Sequence, residues 1–327
     1  MTILVTGASG HLGEALCRTL EAEGRAYKGA DIKSGPYTSE AGDIADPDFA
    51  ARIMKGASAV LHAATLHKPH VATHSMQAFV DTNITGTLNL LDAAVREGVE
   101  SFIFTSTTST FGEAMRPAKG SPAVLVTEDL PPIPKNIYGV TKLAAENICR
   151  LVHKKHKLPC LVLRTSRFFP EDDDSAVIRN GYDDLNAKVN ELTYRRVDIA
   201  DVVSAHMRAL ERAGDIGFGR YIISATTPFQ TGDLEELGRD APAVLKSYAD
   251  YEGEYARRGW RMFDALDRVY VNDLARKELG WKPETDFVTA LERLKRDEYP
   301  FHPLKAAIGK KGYHDQVFED GPFPVDE

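Results

Sequence analysis

The sequence predicts an α/β protein built on a doubly wound parallel sheet, with a smaller C-terminal lobe. Short apolar runs alternate with helical stretches over roughly the first 165 residues, a rhythm that implies parallel strands with crossover helices on both faces. The first run, "ILVTG", passes straight into a glycine-spaced turn and a helix, the opening of a dinucleotide-type βαβ unit. After Arg164 the rhythm loosens into acidic, irregular and Pro/Gly-punctuated sequence, which reads as the second lobe.

Taken in order, "ILVTG" is the first strand, and "HLGEALCRTLEAEG" is a helix with Leu12, Leu16 and Leu20 at helical spacing. "RAYKGAD" is the second strand. "DPDFAARIMKG" starts a helix with Asp46 as cap and Pro47 at its first position. "ASAVLHAA" is a strand, "SMQAFVDTNITGTLNLLDAAVREG" a long helix, and "ESFIFTS" a strand. "YGVTKLAAENICRLVHKKH" is a helix and "PCLVLRT" a strand. "VDIADVVSAHMRALERAG" and "GRYIISA" add a helix and a strand. The expected division is a nucleotide-binding domain over 1–170, with 194–225 packing back onto it. Residues 171–193 and 226–327 form the smaller substrate lobe and tail. The insert 113–135 reads as loop from its Pro and Gly content, and the last residues show no periodicity.

Bulk properties narrow the class. The chain has 327 residues, 43% apolar and 27% charged, ordinary values for a soluble globular protein. A net charge of −8 argues against a broad nucleic-acid-binding face. Cys17, Cys149 and Cys160 have neither metal spacing nor a disulfide framework. No signal-peptide pattern opens the chain, and no run of about 18 apolar residues would span a membrane. The expectation is a cytoplasmic protein.

Gly7, Gly10 and Gly13 lie between the first strand and helix. Glycines there permit a tight turn and close approach of a pyrophosphate, which the helix N-terminus then favours. This marks the domain as Rossmann-type. Asp31 closes the second strand, 24 positions after Gly7, where a carboxylate accepts hydrogen bonds from ribose hydroxyls and repels a 2′-phosphate. NAD is therefore expected rather than NADP. Asp43 and Ile44 are placed near the adenine, and His62, Ala63 and Ala64 end the strand past which the cofactor runs.

Tyr138 and Lys142 in "YGVTK" are four apart, on one helix face. A free tyrosine ionises near pH 10, so a cationic lysine and a positively charged nicotinamide lower the cost of a phenolate. That phenolate takes a proton from a substrate hydroxyl as hydride leaves carbon. Ahead of this pair stands "FTSTTSTFG", with a hydroxyl on every residue from Thr105 to Thr110.

The glycine loop, "HAA", Asn83 in "TNITGTLNLLDAA", the hydroxyl run and "YGVTK" occur in one order. The chain thereby resembles the extended short-chain dehydrogenase/reductase family, its NAD-dependent epimerase/dehydratase group, over residues 2–112, 136–170 and 194–225, with an echo at 272–294. The resemblance implies that Thr107, five positions before Gly112, holds the reacting oxygen that Tyr138 deprotonates, with Lys142 positioning the tyrosine. It extends the cofactor-side set to His11, Leu12, Asn83, Thr105, Arg164 and Ser166, with Asn83 more architectural than chemical, tying helix backbone to the strand near the site. It also implies a homodimer built on helices 75–97 and 137–155.

Departures from the family point to a reaction. Related dehydratases carry an Asp-Glu pair directly after the catalytic threonine, whereas this chain has Thr108-Ser109. The segment between Pro170 and Val197, 27 positions, is short for a nucleotide-sugar pocket. "RFFPE" at 167–171 is weakly similar to uronate dehydrogenases. The expectation is an NAD-linked oxidoreductase of a small sugar or sugar acid, the alternative being a nucleotide-sugar epimerase that recycles its NAD. Substrate-side candidates are Thr108, Lys68, His70, Arg167, Arg179 and Arg196, with Arg195 as a further arginine for an anionic substrate. His67, His70 and His74 are read as substrate-loop residues and no metal is expected.

Overall fold

The computed structural model describes residues 1–312 and Phe318; most of the aperiodic tail lies outside them. Its strands are β1 (Ile3–Thr6), β2 (Tyr27–Asp31), β3 (Glu40–Ala41), β4 (Ala59–His62), β5 (Ser101–Thr107), β6 (Val124–Val126), β7 (Cys160–Thr165), β8 (Phe218–Ile223) and β9 (Arg268–Tyr270). The sheet order is β3-β2-β1-β4-β5-β7-β8, with a separate β6-β9 pair. β1 pairs in parallel with both β2 and β4, and β4 with β5. The chain winds outward from β1 to β3, then returns to place β4 on the other side of β1. The strand order thus reverses between β1 and β4, the crevice where doubly wound sheets bind ligands.

The helices that position this crevice are α1 (His11–Ala22), α2 (Pro47–Met54), α3 (Met76–Phe79), α4 (Gly86–Glu97) and α5 (Ile137–His156). Asp46 caps α2 through the Asp48 N–H, and Asn136 caps α5 through the Gly139 N–H. The expected long helix over 76–97 is one rod, but residues 80–85 widen into a π-turn that joins α3 to α4. Such bulges tend to sit at functional places. This one carries Asn83.

The chain divides into two units, one of residues 1–110, 134–164 and 202–221, the other of 111–133, 165–201 and 222–327. The sequence-based boundary at 170 therefore moves to 164, and 194–201 and 222–225 join the second unit. The insert 113–135 also differs from the loop expected. Its residues Val124, Leu125 and Val126 form β6 and pair with β9 in parallel, more than 140 positions on. The first unit buries Leu4, Val60, Phe102, Phe104, Val162 and side chains of α2, α4 and α5 in one core. The second packs Val189, Leu237, Tyr255, Phe287 and Leu291 in another.

Asn83 braces the first unit. Its Oδ1 accepts from the Leu66 N–H and the Thr65 hydroxyl, both at 2.9 Å, and its Nδ2 donates to Leu66 O and Thr141 Oγ1 at 2.9 and 3.0 Å. All four positions of the amide are used, so Asn83 ties the loop after β4 to α5 and has no capacity left for the cofactor contact expected of it. Asn83→Ala should cost roughly 2–4 kcal/mol, because several buried polar groups lose partners at once. Urea unfolding with an unchanged m-value checks this.

Candidate active site

The glycine loop at the end of β1 is built so that only glycine fits. Gly7 has φ +75°, and a Cβ there would lie 2.7 Å from Ala64 N. A Cβ on Gly13 would lie 1.9 Å from Gly7 O. The first contact brings the loop against "HAA" across the switch point, and the second sets α1 close beneath it. Gly10 stands at the N-cap of α1, followed by the buried His11 and Leu12. At the end of β2, Asp31 accepts the Ser9 and Lys33 N–H groups on separate oxygens, both at 2.9 Å. Each oxygen keeps acceptor capacity for a ribose hydroxyl. Asp43 turns its carboxylate to the Ala45 N–H, and Ile44 is buried under Gly86. These residues fit a dinucleotide: a cradle without side chains, an open helix N-terminus, and a carboxylate at the second strand.

The hydroxyl run ends β5, and its members divide the work. Thr105 Oγ1 lies 2.8 Å from His206 Nε2. The His206 Nδ1–H donates to Val202 O at 2.8 Å, so Nε2 is the acceptor and Thr105 donates. Ser106 donates to Glu146 Oε1 at 2.6 Å. Thr110 donates to Thr107 O at 2.9 Å. Thr107 is the hydroxyl of this run that acts on Tyr138, working to lower its pKa, and its oxygen accepts the Ser109 N–H at 3.1 Å. Thr108 is buried in the short turn that comes next. The structure thus couples Thr107 to Tyr138 and gives the Thr105 proton to His206, leaving only the acceptor side of that hydroxyl for a cofactor.

Lys142 lies one turn beyond Tyr138 on α5, 2% exposed. Its Nζ is 4.1 Å from the centre of the Phe104 ring. Burial lowers its pKa to about 7, against the opposing charge of Glu146. Burial also pushes Tyr138 up to about 12, the Thr107 hydrogen bond pulling the other way. Sequence reasoning expects the lysine charge to lower the tyrosine directly. Here the stronger effect is desolvation, which drives both groups toward their neutral forms.

His62, at the end of β4, is fully buried. Its ring faces Phe102 and Phe104 at 5.7 and 5.5 Å. Thr87 gives its proton to Asn83 O, so His62 Nε2–H donates to Thr87 at 3.0 Å and Nδ1 accepts from Thr6 at 2.7 Å. Burial, then the Lys142 charge, holds its pKa well below the usual value. His62 is a neutral strut beneath the site.

Arg164 differs from its sequence-based reading as a cofactor-facing residue, and Glu146 carries no signal in the sequence at all. Arg164 is 3% exposed and grips Glu146 with two bonds, Nε to Oε1 at 3.0 Å and Nη2 to Oε2 at 2.7 Å. Ser166 is buried in the second unit and donates its N–H to Ile223 O. The arginines expected for an anionic substrate are held within the second unit. Arg167 meets Asp173 at 2.7 Å, Asp174 at 3.1 Å and Glu191 at 3.7 Å. Arg195 and Arg196 meet Glu191 at 2.7 and 2.6 Å. Arg179 donates to Asp173 O at 2.7 Å. Burial works against the ionisation of Glu191, and Arg196, Arg195 and Arg167 together override it. In the loop after β4, residues Lys68–His70 form a short turn, and the His67, His70 and His74 rings meet edge to face at 4.6 and 5.0 Å. Among the described residues no group of three His, Cys, Asp or Glu is placed to hold a metal ion.

A doubly wound sheet, a glycine cradle at its switch point, and a Tyr–Lys–Thr group at the end of β5 and the start of α5 define a short-chain dehydrogenase/reductase of the extended type. A sequence model of the NAD dependent epimerase/dehydratase family matches residues 3–223. The chain belongs to that family and is an enzyme that uses NAD. It is 34% identical to a dTDP-glucose 4,6-dehydratase of Streptomyces griseus, over 88% of this chain and 91% of that one. It is 26% identical to a UDP-glucose 4-epimerase of Rhizobium meliloti, over 89% and 94%. Its fold matches a short-chain dehydrogenase/reductase superfamily protein of Agrobacterium tumefaciens, solved with bound NAD, at a TM-score of 0.65 and 22% identity over 94% and 97% of the two chains.

Two buried neutral histidines give the unit a pH signature. His206 has its pKa lowered to about 4 by burial, below the ordinary value of about 6.5. As pH falls, the unfolded chain takes its proton first, so stability declines from about pH 6.5 down to about 4. His62 acts in the same direction. Chemical denaturation across this range should show the decline, and His206→Gln should flatten it.

Proposed function

We propose that the protein is an NAD-dependent oxidoreductase that moves hydride between NAD and a hydroxyl or carbonyl carbon of a small sugar. The observation that carries this reading is Tyr138, acted on by the Thr107 hydroxyl, with Lys142 buried one turn along the same helix. Gly7, Gly10, His11, Leu12 and Gly13 would hold the pyrophosphate at the start of α1, and Asp31 would take the ribose hydroxyls. NAD supplies the hydride acceptor and, when oxidised, a positive charge. Thr107 orients the substrate hydroxyl. Tyr138 takes its proton as the carbon–hydrogen bond breaks, leaving a carbonyl. A tyrosine held near 12 is a base only with a cation close by, and Lys142, poised near 7 one turn along the helix, is the candidate for it.

Elimination of water needs a further acid and base beside the oxidised carbon. Thr108 and Ser109 occupy the two positions after Thr107 and offer neither. The similarity to a dehydratase therefore speaks for scaffold and cofactor. The tied arginines bear on the substrate. Arg167, Arg195 and Arg196 are matched by Asp173, Asp174 and Glu191, so this cluster offers an anion no surplus charge. A neutral sugar fits better than a sugar acid. Epimerisation of a nucleotide sugar is the second reading, favoured by the near full-length similarity to UDP-glucose 4-epimerases.

A screen for NAD reduction over free sugars, sugar acids and nucleotide sugars tests both readings. Turnover with a free sugar is expected, with Tyr138→Phe lowering kcat by about 10²–10⁴-fold and Thr107→Ser retaining more activity than Thr107→Ala. Interconversion of a nucleotide sugar without net NAD reduction would establish the epimerase instead.

We also infer a homodimer. Met76 and Leu88 on α3 and α4, and Val140 and Leu151 on α5, are exposed large apolar side chains. Val140 and Leu151 are three turns apart on one face. Sedimentation should show a dimer, and Val140→Lys with Leu151→Lys should shift it to monomer.

A further inference from the structure

Glu146 is fully buried on α5, one turn beyond Lys142 and two beyond Tyr138. Its carboxylate is bound from three strands of the sheet. On β5, Ser106 donates to its Oε1 at 2.6 Å. On β7, Arg164 binds both its oxygens. On β8, Arg220 Nε reaches Oε2 at 3.1 Å, while Arg220 Nη2 donates to Asn147. The residue next to Ser106 is Thr107.

We propose that Glu146 is a positioning residue for the active site, fixing α5 on β5 and so setting the place of Tyr138 relative to Thr107. This rests on the proposed roles of Tyr138, Lys142 and Thr107. A buried ion pair contributes little net stability, because desolvation offsets the attraction, and its best-attested use is to specify register. Here the register matters at one place. Tyr138 and Glu146 are eight residues apart on a rigid helix, about 12 Å, and Ser106 and Thr107 are adjacent on a strand. A slip at the Glu146 end therefore moves the tyrosine relative to the threonine.

The same carboxylate acts on Lys142 through its charge. The groups that act on that amine are Phe104 on β5, His62 on β4, and Glu146 and Cys149 on α5, with the Arg164 and Arg220 cations behind Glu146. His62 is neutral. Glu146 is the first-ranking charge that favours the lysine cation against burial. One side chain thus holds the geometry of the site and supports the charge of its lysine.

Three variants separate the two effects. Glu146→Gln keeps the shape and removes the charge. Glu146→Asp keeps the charge but withdraws it by a methylene. Ser106→Ala keeps the ion pairs and removes the hydroxyl that binds Glu146 from β5. The Lys142 amine is titrated in the full chain by NMR of lysine labelled at Cε, assigned with Lys142→Arg. Its midpoint is expected to fall by about one unit in Glu146→Gln, to stay close to wild type in Glu146→Asp, and not to move in Ser106→Ala. With any substrate found in the screen, Ser106→Ala and Glu146→Asp are expected to lower kcat roughly tenfold to a hundredfold, with little change in the affinity for NAD. A Lys142 midpoint unmoved in Glu146→Gln together with wild-type kcat in Ser106→Ala would overturn the proposal. Should Glu146→Gln fail to fold, Glu146→Asp and Ser106→Ala still decide it: wild-type kcat in both overturns it. Full turnover by Tyr138→Phe would sink the active-site reading instead, and the Lys142 titration would still report on Glu146.

Discussion

The burial of Lys142 is the constraint on which much of the site depends. An ammonium removed from water loses several kcal/mol of hydration unless its surroundings replace it. Phe104 offers the face of its ring, and Glu146 offers a charge one turn away. Neither makes the amine a firm cation, and with its pKa lowered to about 7 it is about half protonated at pH 7. His62 must then stay neutral, because a second cation beneath the lysine would displace its proton. The threonines on either side of His62 hold it in one tautomer and keep it so. The neutral histidine, the aromatic floor and the buried carboxylate are parts of one electrostatic arrangement.

A second constraint meets the first at the end of the sheet. Gly7 and Gly13 let β1, α1 and the end of β4 approach more closely than any side chain permits. The approach leaves the N-terminus of α1 uncovered by side chains, and that is the requirement for an anionic phosphate. Asn83 then carries the order of β4 across to α5 through Leu66 and Thr141. The cofactor cradle and the Tyr–Lys helix are therefore not independent modules. They share an amide with no spare hydrogen-bonding position.

This division explains what the sequence disclosed. The glycines, Asp31, Tyr138 and Lys142 were legible because their chemistry is local: a turn, a strand end, two residues on one helix face. Thr107 was legible only through resemblance, since six consecutive hydroxyls look alike until their partners are known. Those partners come from afar, His206 for Thr105 and Glu146 for Ser106. Arg164 was misread for the same reason. An arginine ending a strand looks available, and only the folded chain brings Glu146 against it. The arginines between 167 and 196 looked like anion ligands until the acids beside them were seen to claim them. β6 was hidden because three residues between prolines and glycines carry no periodic signal, and its partner lies in another part of the chain.

Oxidation and epimerisation share their first half, so the arrangement at Tyr138 does not by itself separate them. Both need the proton removed from a hydroxyl, a cation near the phenolate and hydride accepted by NAD. They differ in the second half. An epimerase must return the hydride to the opposite face, which requires the oxidised sugar to rotate while held by a part that does not react. In a nucleotide sugar that part is the nucleotide diphosphate, whose charge must be met by cations to spare. In the cluster of Arg167, Arg195 and Arg196 three carboxylates already pair with the arginines, which weakens their pull on a further anion. A substrate without such an anchor leaves once oxidised, and the reaction ends as net transfer of hydride to NAD. The charge balance of one buried cluster, more than any feature of the catalytic group, is what tilts the reading toward a dehydrogenase.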